Sequence, residues 1–418
     1  MSLASNIKEL YSQNILELLT KIGKIANSQG LKAYIVGGFV RDLLLEKSNY
    51  DIDIMVEGDA IPFATAVGQE LNAESKLIER FHTAHIYYQN LVIDFSSARK
   101  EYYPRPGALP EVSFSDIRDD LFRRDFTINA MALSISPDQP FELIDLFNGE
   151  QDLNSGIIKI LHARSFLDDP TRLYRALRFA DRFKFNLEPK TEMQFDKAIK
   201  LSYPSSLSTK RIAAEIDKSF QEKRPLSLLN QYQNTGLLAY YHKSFVKYAR
   251  PDFKFSLVPA TATRLRSKFK DISESAVFWS LLLSNIPLEE AKPLLNNSGL
   301  SHSVSSPVSD AISQWQNLIA KLLIANNRIE IYNAMKNSCP ESIALIYLKN
   351  KNKEVENKLN LYINELAAIK PSITGKDLIE IGINPGPQIR LILDKIIEKK
   401  LEGVELSRKD ELDLARTI

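Results

Sequence analysis

Asp51-Ile52-Asp53 sets two carboxylates one residue apart, thirteen residues beyond Gly38. Acids spaced this way on a strand leave from the same face, because side chains alternate. With no basic residue between them they repel unless a cation sits there. Mg²⁺ takes oxygen ligands and commonly joins one or two carboxylates to substrate phosphates. Upstream, the apolar run Ala33-Tyr34-Ile35-Val36 ends in Gly37-Gly38, a turn that opens a helix and offers backbone N–H groups to phosphate. The short helix Phe39–Leu45 carries Arg41, a cation aimed at the same place. Turn, arginine and paired acids together point to a site for a nucleoside triphosphate and a metal ion. Ile52, Ile54 and Val56 predict a strand whose other face is buried. Asp94, in Val92-Ile93-Asp94-Phe95, falls on a later strand, either as a third carboxylate on that face or as a plain sheet-edge acid.

Two further constellations carry charge at helix starts. In Arg123-Arg124-Asp125-Phe126-Thr127-Ile128-Asn129-Ala130-Met131-Ala132, Asp125 is suited to cap a helix over Thr127–Leu133. Arg123 or Arg124 would then serve a triphosphate, and Asn129 a ribose or triphosphate. The plain alternative is a capped helix with solvated arginines. In Asp168-Asp169-Pro170-Thr171-Arg172, Pro170 fits a first helical position and the acids complement a helix N-terminus. Asp169, Arg172, Arg175 and Arg178 follow at intervals of three, one stripe opposite Leu173, Ala176, Leu177, Ala180 and Phe183. Such a stripe is either a solvated charged face or a reader of bases. Cytosine and adenine both offer an amine donor beside a ring-nitrogen acceptor, whereas uracil and guanine offer a carbonyl beside a ring N–H. Asp169 with Arg172 would accept the first pair and reject the second, at about 1–3 kcal/mol per unsatisfied group.

The elements around these residues form a small α+β region followed by helices. A helix over Ile7–Ser28 precedes the strand Ala33–Val36, the Arg41 helix and the strand Asp51–Glu57. A helix over Ile61–Leu71 follows, then strand-like runs at Lys76–Arg80, Ala84–Tyr88 and Leu91–Phe95, close enough in sequence to pair antiparallel. Tyr102–Pro110, with three prolines and a glycine, is either a connector or a mobile loop over the site. A strand pair is expected at Leu133–Ile135 and Leu143–Leu146. Beyond Asp168 the periodicity is helical: near Asp169–Phe183, Lys190–Leu201, Ser208–Glu222, Leu226–Asn234, Ile272–Leu283 and Ser309–Ile324.

Bulk properties narrow the classes. The 418 residues allow more than one domain, and 44% hydrophobic with 25% charged residues is ordinary for a globular protein. A formal net charge of +2 gives no general affinity for polyanions, so a nucleic-acid surface must come from local clusters. One cysteine, Cys339, excludes a disulfide framework and a cysteine-cluster zinc site. Five histidines without a His-Asp dipeptide give little to a histidine metallohydrolase. The amphipathic start, Met1–Gly30, is unlike a signal peptide, and no apolar run is long enough to span a bilayer. The expected setting is cytoplasmic, with no membrane partner.

The blocks Val36–Asp42, Asp51–Asp53, Arg123–Ala132, Asp145–Leu153 and Asp168–Phe179, in this order, resemble the class II tRNA nucleotidyltransferases (CCA-adding enzymes) and the bacterial poly(A) polymerases. Ile373–Pro387 resembles their tail segment. The resemblance implies a DNA polymerase β-like mixed-sheet head over 1–155. An all-helical neck would follow over 156–225, a body over 226–340 and a tail over 341–418. It implies two Mg²⁺ on Asp51 and Asp53, with Asp94 a candidate third acid. Gly38, Arg41 and one or both of Arg123 and Arg124 would hold the triphosphate, with Gly37 and Asn129 further nucleotide-binding candidates, and Asp169 and Arg172 would read the base without a template. Arg175 and Arg178 would sit near the triphosphate or support the readers. The substrates would be CTP, ATP and a tRNA 3′ end. Arg182, Lys210, Arg211, Arg264, Arg266 and Lys268 are candidate RNA-phosphate contacts. The family usually carries Glu where this chain has Asp168, a shorter acid beside Arg172. The same motifs serve enzymes that add CCA, CC or A alone (the last two with a partner enzyme) and poly(A) polymerases. An inactive RNA-binding relative has no need of Asp51, Asp53, Arg41 and Asp169 together.

Overall fold

The computed structural model describes residues 3–79, 82–247 and 251–418. The chain divides into two compact units, Met1–Glu215 with Asn234–Tyr240, and Ile216–Gln233 with Tyr241–Ile418.

Among the described residues, the first unit is built on eleven strands in three sheets. They are β1 (Lys32–Val36), β2 (Ile52–Glu57), β3 (Glu74–Ile78), β4 (Thr83–Tyr88), β5 (Leu91–Ser97), β6 (Arg99–Tyr102), β7 (Glu111–Phe114), β8 (Ala132–Ser134), β9 (Leu143–Ile144), β10 (Ile157–Ile158) and β11 (Asn186–Leu187). Seven form one mixed sheet in the order β3-β4-β5-β2-β1-β8-β9, in which β2 and β5 run parallel and the other neighbours antiparallel. The Val/Ile-rich strands occupy its middle. Ile35, Ile52, Ile54, Met55 and Val56 are fully buried, so β2 is covered on both faces except where Asp53 interrupts it. The expected strand end at Arg80 lies outside the described residues.

Three expectations change. The first helix is two helices, Leu3–Leu10 and Gln13–Ser28. The break falls at Tyr11-Ser12 because the Tyr11 ring is buried and stacks on Phe39 at 4.7 Å, while its hydroxyl donates to the Asn49 carbonyl at 3.0 Å. The helix expected over Thr127–Leu133 is one 3₁₀ turn, Thr127–Asn129, after which the chain enters β8. Pairing of Ala132 with Val36 and of Ser134 with Tyr34 outweighs a helix-compatible pattern. Asp125 does not cap that turn through its end; Phe126 is the cap residue, in extended conformation. Tyr102–Pro110 is the tip of the β6–β7 hairpin.

The Asp145–Leu153 block underlies the 3₁₀ turn. A side chain at Gly149 would come within 2.3 Å of the Thr127 carbonyl, so only glycine lets the helix Gly149–Asn154 approach this closely. Thr127 Oγ1 donates to Asp152 Oδ2 at 2.7 Å. The helices Ser165–Asp168, Thr171–Phe183 and Pro189–Lys200 follow, with β10 and β11 paired parallel.

The second unit is helical. Its helix Glu274–Leu283 is buried on every side from Ala276 onward, as a central core helix must be. Trp279 is fully buried and its indole N–H donates to Asp217 at 2.9 Å. Near the C-terminus, Ile373, Leu378, Ile392, Ile396 and Ala415 form a separate small core. No helix among the described residues is long and apolar enough to cross a membrane.

Candidate active site

Register brings three acids together. Asp53 on β2 lies beside Asp94 on β5, and Asp94 beside His85 on β4. Asp51 precedes β2, its N–H held by the Asn49 side chain at 2.9 Å. One carboxylate oxygen from each of Asp51, Asp53 and Asp94 lies within 4.8 Å of the others. Burial, together with the charge of Asp51, pushes the Asp53 carboxyl up to about 6; Asp94 adds to this and Arg124 opposes it. Three converging carboxylates fit a divalent cation with oxygen ligands. His85 Nδ1 meets Asp94 Oδ1 at 2.5 Å. Sequence reasoning missed His85, although the antiparallel register of the two runs around Gln89-Asn90 was the signal that pairs it with Asp94.

A cleft of about 490 Å³ opens beside Asp53. Gly37, Gly38, Arg41, Arg123, Arg124 and Asn129 line it at one end, and Asp169, Arg172, Arg175, Phe179 and Arg182 line it toward the long helix. Gly37 has φ +74°, and a Cβ there would lie 3.1 Å from Arg124 Nη1 and 3.8 Å from Asp53 Oδ2. The bend thus brings backbone between the acids and a guanidinium, as phosphate binding requires.

Arg41, Arg123, Arg124 and Arg175 are each tied to a neighbouring acid. Arg41 grips Asp42 through Nε (2.8 Å) and Nη2 (2.9 Å) and donates through Nη1 to Asn129 Oδ1 at 2.7 Å. The Asn129 amide donates to Asp125 Oδ1 at 3.0 Å, and Asp125 Oδ2 accepts from Arg175 Nε at 2.7 Å. Burial would raise the Asp125 carboxyl, but Arg175, Asn129 and Arg172 outweigh it and hold it at about 2. Arg123 and Arg124 share fully buried Asp120, and Arg123 also reaches Glu101 at 3.1 Å. Arg124 keeps a buried Nε–H without a partner. The pairing of Asp125 with Arg175 and of Glu101 with Arg123 was missed because these partners lie fifty and twenty-two residues apart.

The Asp169–Arg178 stripe is not a solvated face. Arg172 and Arg178 are 5% and 3% exposed. Asp169 Oδ1 accepts from the Thr171 N–H (3.0 Å), the Thr171 hydroxyl (2.6 Å) and Arg211 Nη2 (2.7 Å). Arg172 donates to Ser165 Oγ and to the Arg123 carbonyl, each at 2.6 Å. Arg178 donates to buried Glu215 at 2.6 Å and is not among the residues lining the cleft. From the hairpin tip, Tyr103 and Pro110 join the cleft wall, with the Tyr103 hydroxyl donating to Glu101 at 2.7 Å. From sequence alone this segment is either a connector or a loop over the site; Tyr103 and Pro110 lie in the cleft lining.

The six candidate RNA contacts separate. Arg182 is exposed and lines the cleft. Arg211 is drawn inward to Asp169 and the Gly107 carbonyl (2.8 Å). In the second unit, Arg264 donates to the Tyr347 hydroxyl (2.6 Å) and Asn360 (2.9 Å), whereas Arg266 and Lys268 are exposed, as is Lys210 in the first.

Residues 33–159 match the poly A polymerase head domain. The A-adding tRNA nucleotidyltransferase of Halalkalibacterium halodurans is 30% identical over 96% of this chain and 92% of its own length. That of Geobacter sulfurreducens is 33% identical over 95% of this chain, which spans only 46% of that longer protein. A CCA-adding enzyme in an apo form is 30% identical, with a TM-score of 0.77, covering all of this chain and 99% of the other. The Thermotoga maritima CCA-adding enzyme complexed with tRNA is 29% identical, with a TM-score of 0.71 over 100% and 98% of the two chains. A CCA-adding enzyme has been solved with ATP at 28% identity, with a TM-score of 0.75 over 100% and 98%. The chain belongs to the tRNA nucleotidyltransferase and poly(A) polymerase family.

Proposed function

We propose that this protein adds C, A or both from CTP or ATP to the 3′ end of tRNA without a template, releasing pyrophosphate. The observation that carries this is one cleft holding a carboxylate, a glycine bend beside an uncommitted arginine donor, and an acid–guanidinium pair suited to C or A. Asp51, Asp53 and Asp94 would hold magnesium, two ions in our reading. Bound there, the metal supplies positive charge to the RNA 3′-hydroxyl and to the leaving pyrophosphate. The Gly37-Gly38 backbone and Arg124 meet the triphosphate. Arg41 and Asn129 act by fixing one another and, through Asp125, the helix that carries the base readers. Asp169 keeps Oδ2 for an amine, and Arg172 keeps Nε–H for a ring nitrogen. The first unit then corresponds to head and neck, and the second to body and tail. A tRNA substrate sets the workplace in the cytoplasm.

Addition of A alone is the narrower reading, because the Geobacter and Halalkalibacterium relatives carry that activity in their names. The preceding CC would then come from a partner enzyme. Incubation of tRNA ending at the discriminator base, at +C and at +CC with labelled CTP or ATP tests both. Extension only from +CC supports the A-adding reading, and extension through CCA replaces it. Long A tails on unrelated RNA point to a polymerase, and no incorporation on any substrate removes the proposal.

A further inference from the structure

An acid–guanidinium pair discriminates between bases only if it is rigid before the base arrives. A guanidinium free to turn offers N–H groups to the carbonyl of uracil or guanine as readily as to a ring nitrogen. The residue next to the pair in sequence, Asp168, is the one expected to orient Arg172. It does not touch it: the Asp168 carboxylate faces Arg164 Nη2 at 3.2 Å and His162 Nδ1 at 3.9 Å. Ser165 occupies the place instead. It is fully buried, its Oγ accepts from Arg172 Nη1 at 2.6 Å, and its carbonyl accepts the Asp169 N–H at 3.2 Å. One residue thus bonds to both members of the pair, one turn before them on the helix Ser165–Asp168.

We propose that Ser165 is the positioning residue that sets nucleotide choice, acting through Arg172. This rests on Asp169 and Arg172 being the base readers. With Oγ and the Arg123 carbonyl each holding one terminal nitrogen, the guanidinium plane has a single orientation and presents one edge to the cleft. Without Oγ, it is held at one nitrogen only and turns about that bond. The turned group accommodates carbonyl-bearing bases, so the loss appears as misincorporation and not as general inactivity.

The test compares kcat/KM for ATP against GTP, and for CTP against UTP if C is added, on tRNA of the matching length. Ser165→Ala should lower the correct-to-incorrect ratio roughly tenfold, the order expected for one lost hydrogen bond to a charged group. Asp168→Asn should leave the ratio within about twofold, within the small range typical of exposed ion pairs. The melting temperature, read alongside, separates misfolding from misreading. If Ser165→Ala is poorly folded, Ser165→Cys, close in size with a weaker acceptor, should change the ratio in the same direction. Arg172→Ala is the control. If it collapses the ratio while both Ser165 variants keep the parental value, the role of Ser165 is wrong and base reading stands. If Arg172→Ala itself leaves the ratio intact, the reading of the pair falls first. Collapse on Asp168→Asn with Ser165→Ala unchanged would return the role to Asp168.

Discussion

Arg41, Arg123, Arg172 and Arg175 border the cleft of the first unit, each bonded to named acceptors on other elements or on its own turn. In the second unit, Arg266 ends the helix Lys254–Arg266, Lys268 and Lys270 follow it, and all three are exposed. A buried guanidinium is tolerable only when its donors are matched, because stripping its water costs several kcal/mol. Once matched, it needs no reorganisation when a charged ligand enters. A solvated lysine keeps its water and its freedom, is screened by salt, and adds little to stability. The cleft therefore has the character of a preset binding site. The exposed run suits a charged polymer gripped loosely and without regard to sequence.

The sharpest way to break this contrast is to remove an acid from the cleft. Asp53→Ala should lower nucleotide incorporation by about 10³-fold or more, since the site loses a central charge. Folding should not suffer. A carboxyl whose proton affinity is raised by burial and by Asp51 is disfavoured in its ionised form, so removing it leaves the melting temperature equal or higher at neutral pH. Incorporation of labelled ATP and a thermal melt check the two halves. Near-parental incorporation would remove the metal site.

Asp125 should behave in the opposite way. Its carboxyl is held at about 2, below the ordinary carboxylate value near 3.9. The stability it contributes is therefore fully present above the unfolded value and is lost as pH falls from about 4 toward 2, on the order of 2 kcal/mol in total. Asp125→Ala strands Arg175 beside a buried gap and should destabilise by roughly 3–5 kcal/mol in urea unfolding at pH 7. Asp125→Asn should flatten the acid dependence over that window. An unchanged acid slope would show that the pair contributes nothing to folding.

The contrast also explains what could be read without coordinates. The acids of Asp51-Ile52-Asp53, the glycine bend and the strands were legible because alternation and turn chemistry are local. Asp94 was legible only as an acid on a strand-like run; its place beside Asp53 comes from the non-local parallel pairing of β2 with β5. The partners of the arginines were not legible. Asp125 lies fifty residues before Arg175, and Arg123 offers its carbonyl to Arg172 across forty-nine. The spacing of Asp169 to Arg178 fits a solvated stripe and a buried network equally well, and only tertiary packing decides between them. The helix expected over Thr127–Leu133 failed for the same reason, since the pairing of Ala132 with Val36 cannot be seen from residues 127–133 alone.

At Gly37 the effect should be intermediate. Gly37→Ala places a Cβ in a left-handed bend and 3.1 Å from Arg124, straining the backbone by about 1 kcal/mol. We expect KM for ATP to rise more than stability falls, measured by initial rates and a melt.

The smallest effects should come from the second unit, and they test whether its cations are free hands or structural ties. Arg264 donates to Tyr347 and Asn360 with its guanidinium over the Tyr347 ring at 5.0 Å. Arg264→Ala should therefore lower stability by less than about 1 kcal/mol and leave the salt dependence of tRNA binding nearly unchanged. Arg266→Ala and Lys268→Ala should do the reverse. Each should leave the melt unchanged, weaken tRNA binding alike for tRNAs of different sequence, and reduce the slope of log K against log salt by about 1. Filter binding across a salt series separates the cases. If Arg264→Ala alone flattens the slope, the cation tied to Tyr347 is the one that meets phosphate, and exposure is no guide to RNA contact in this unit.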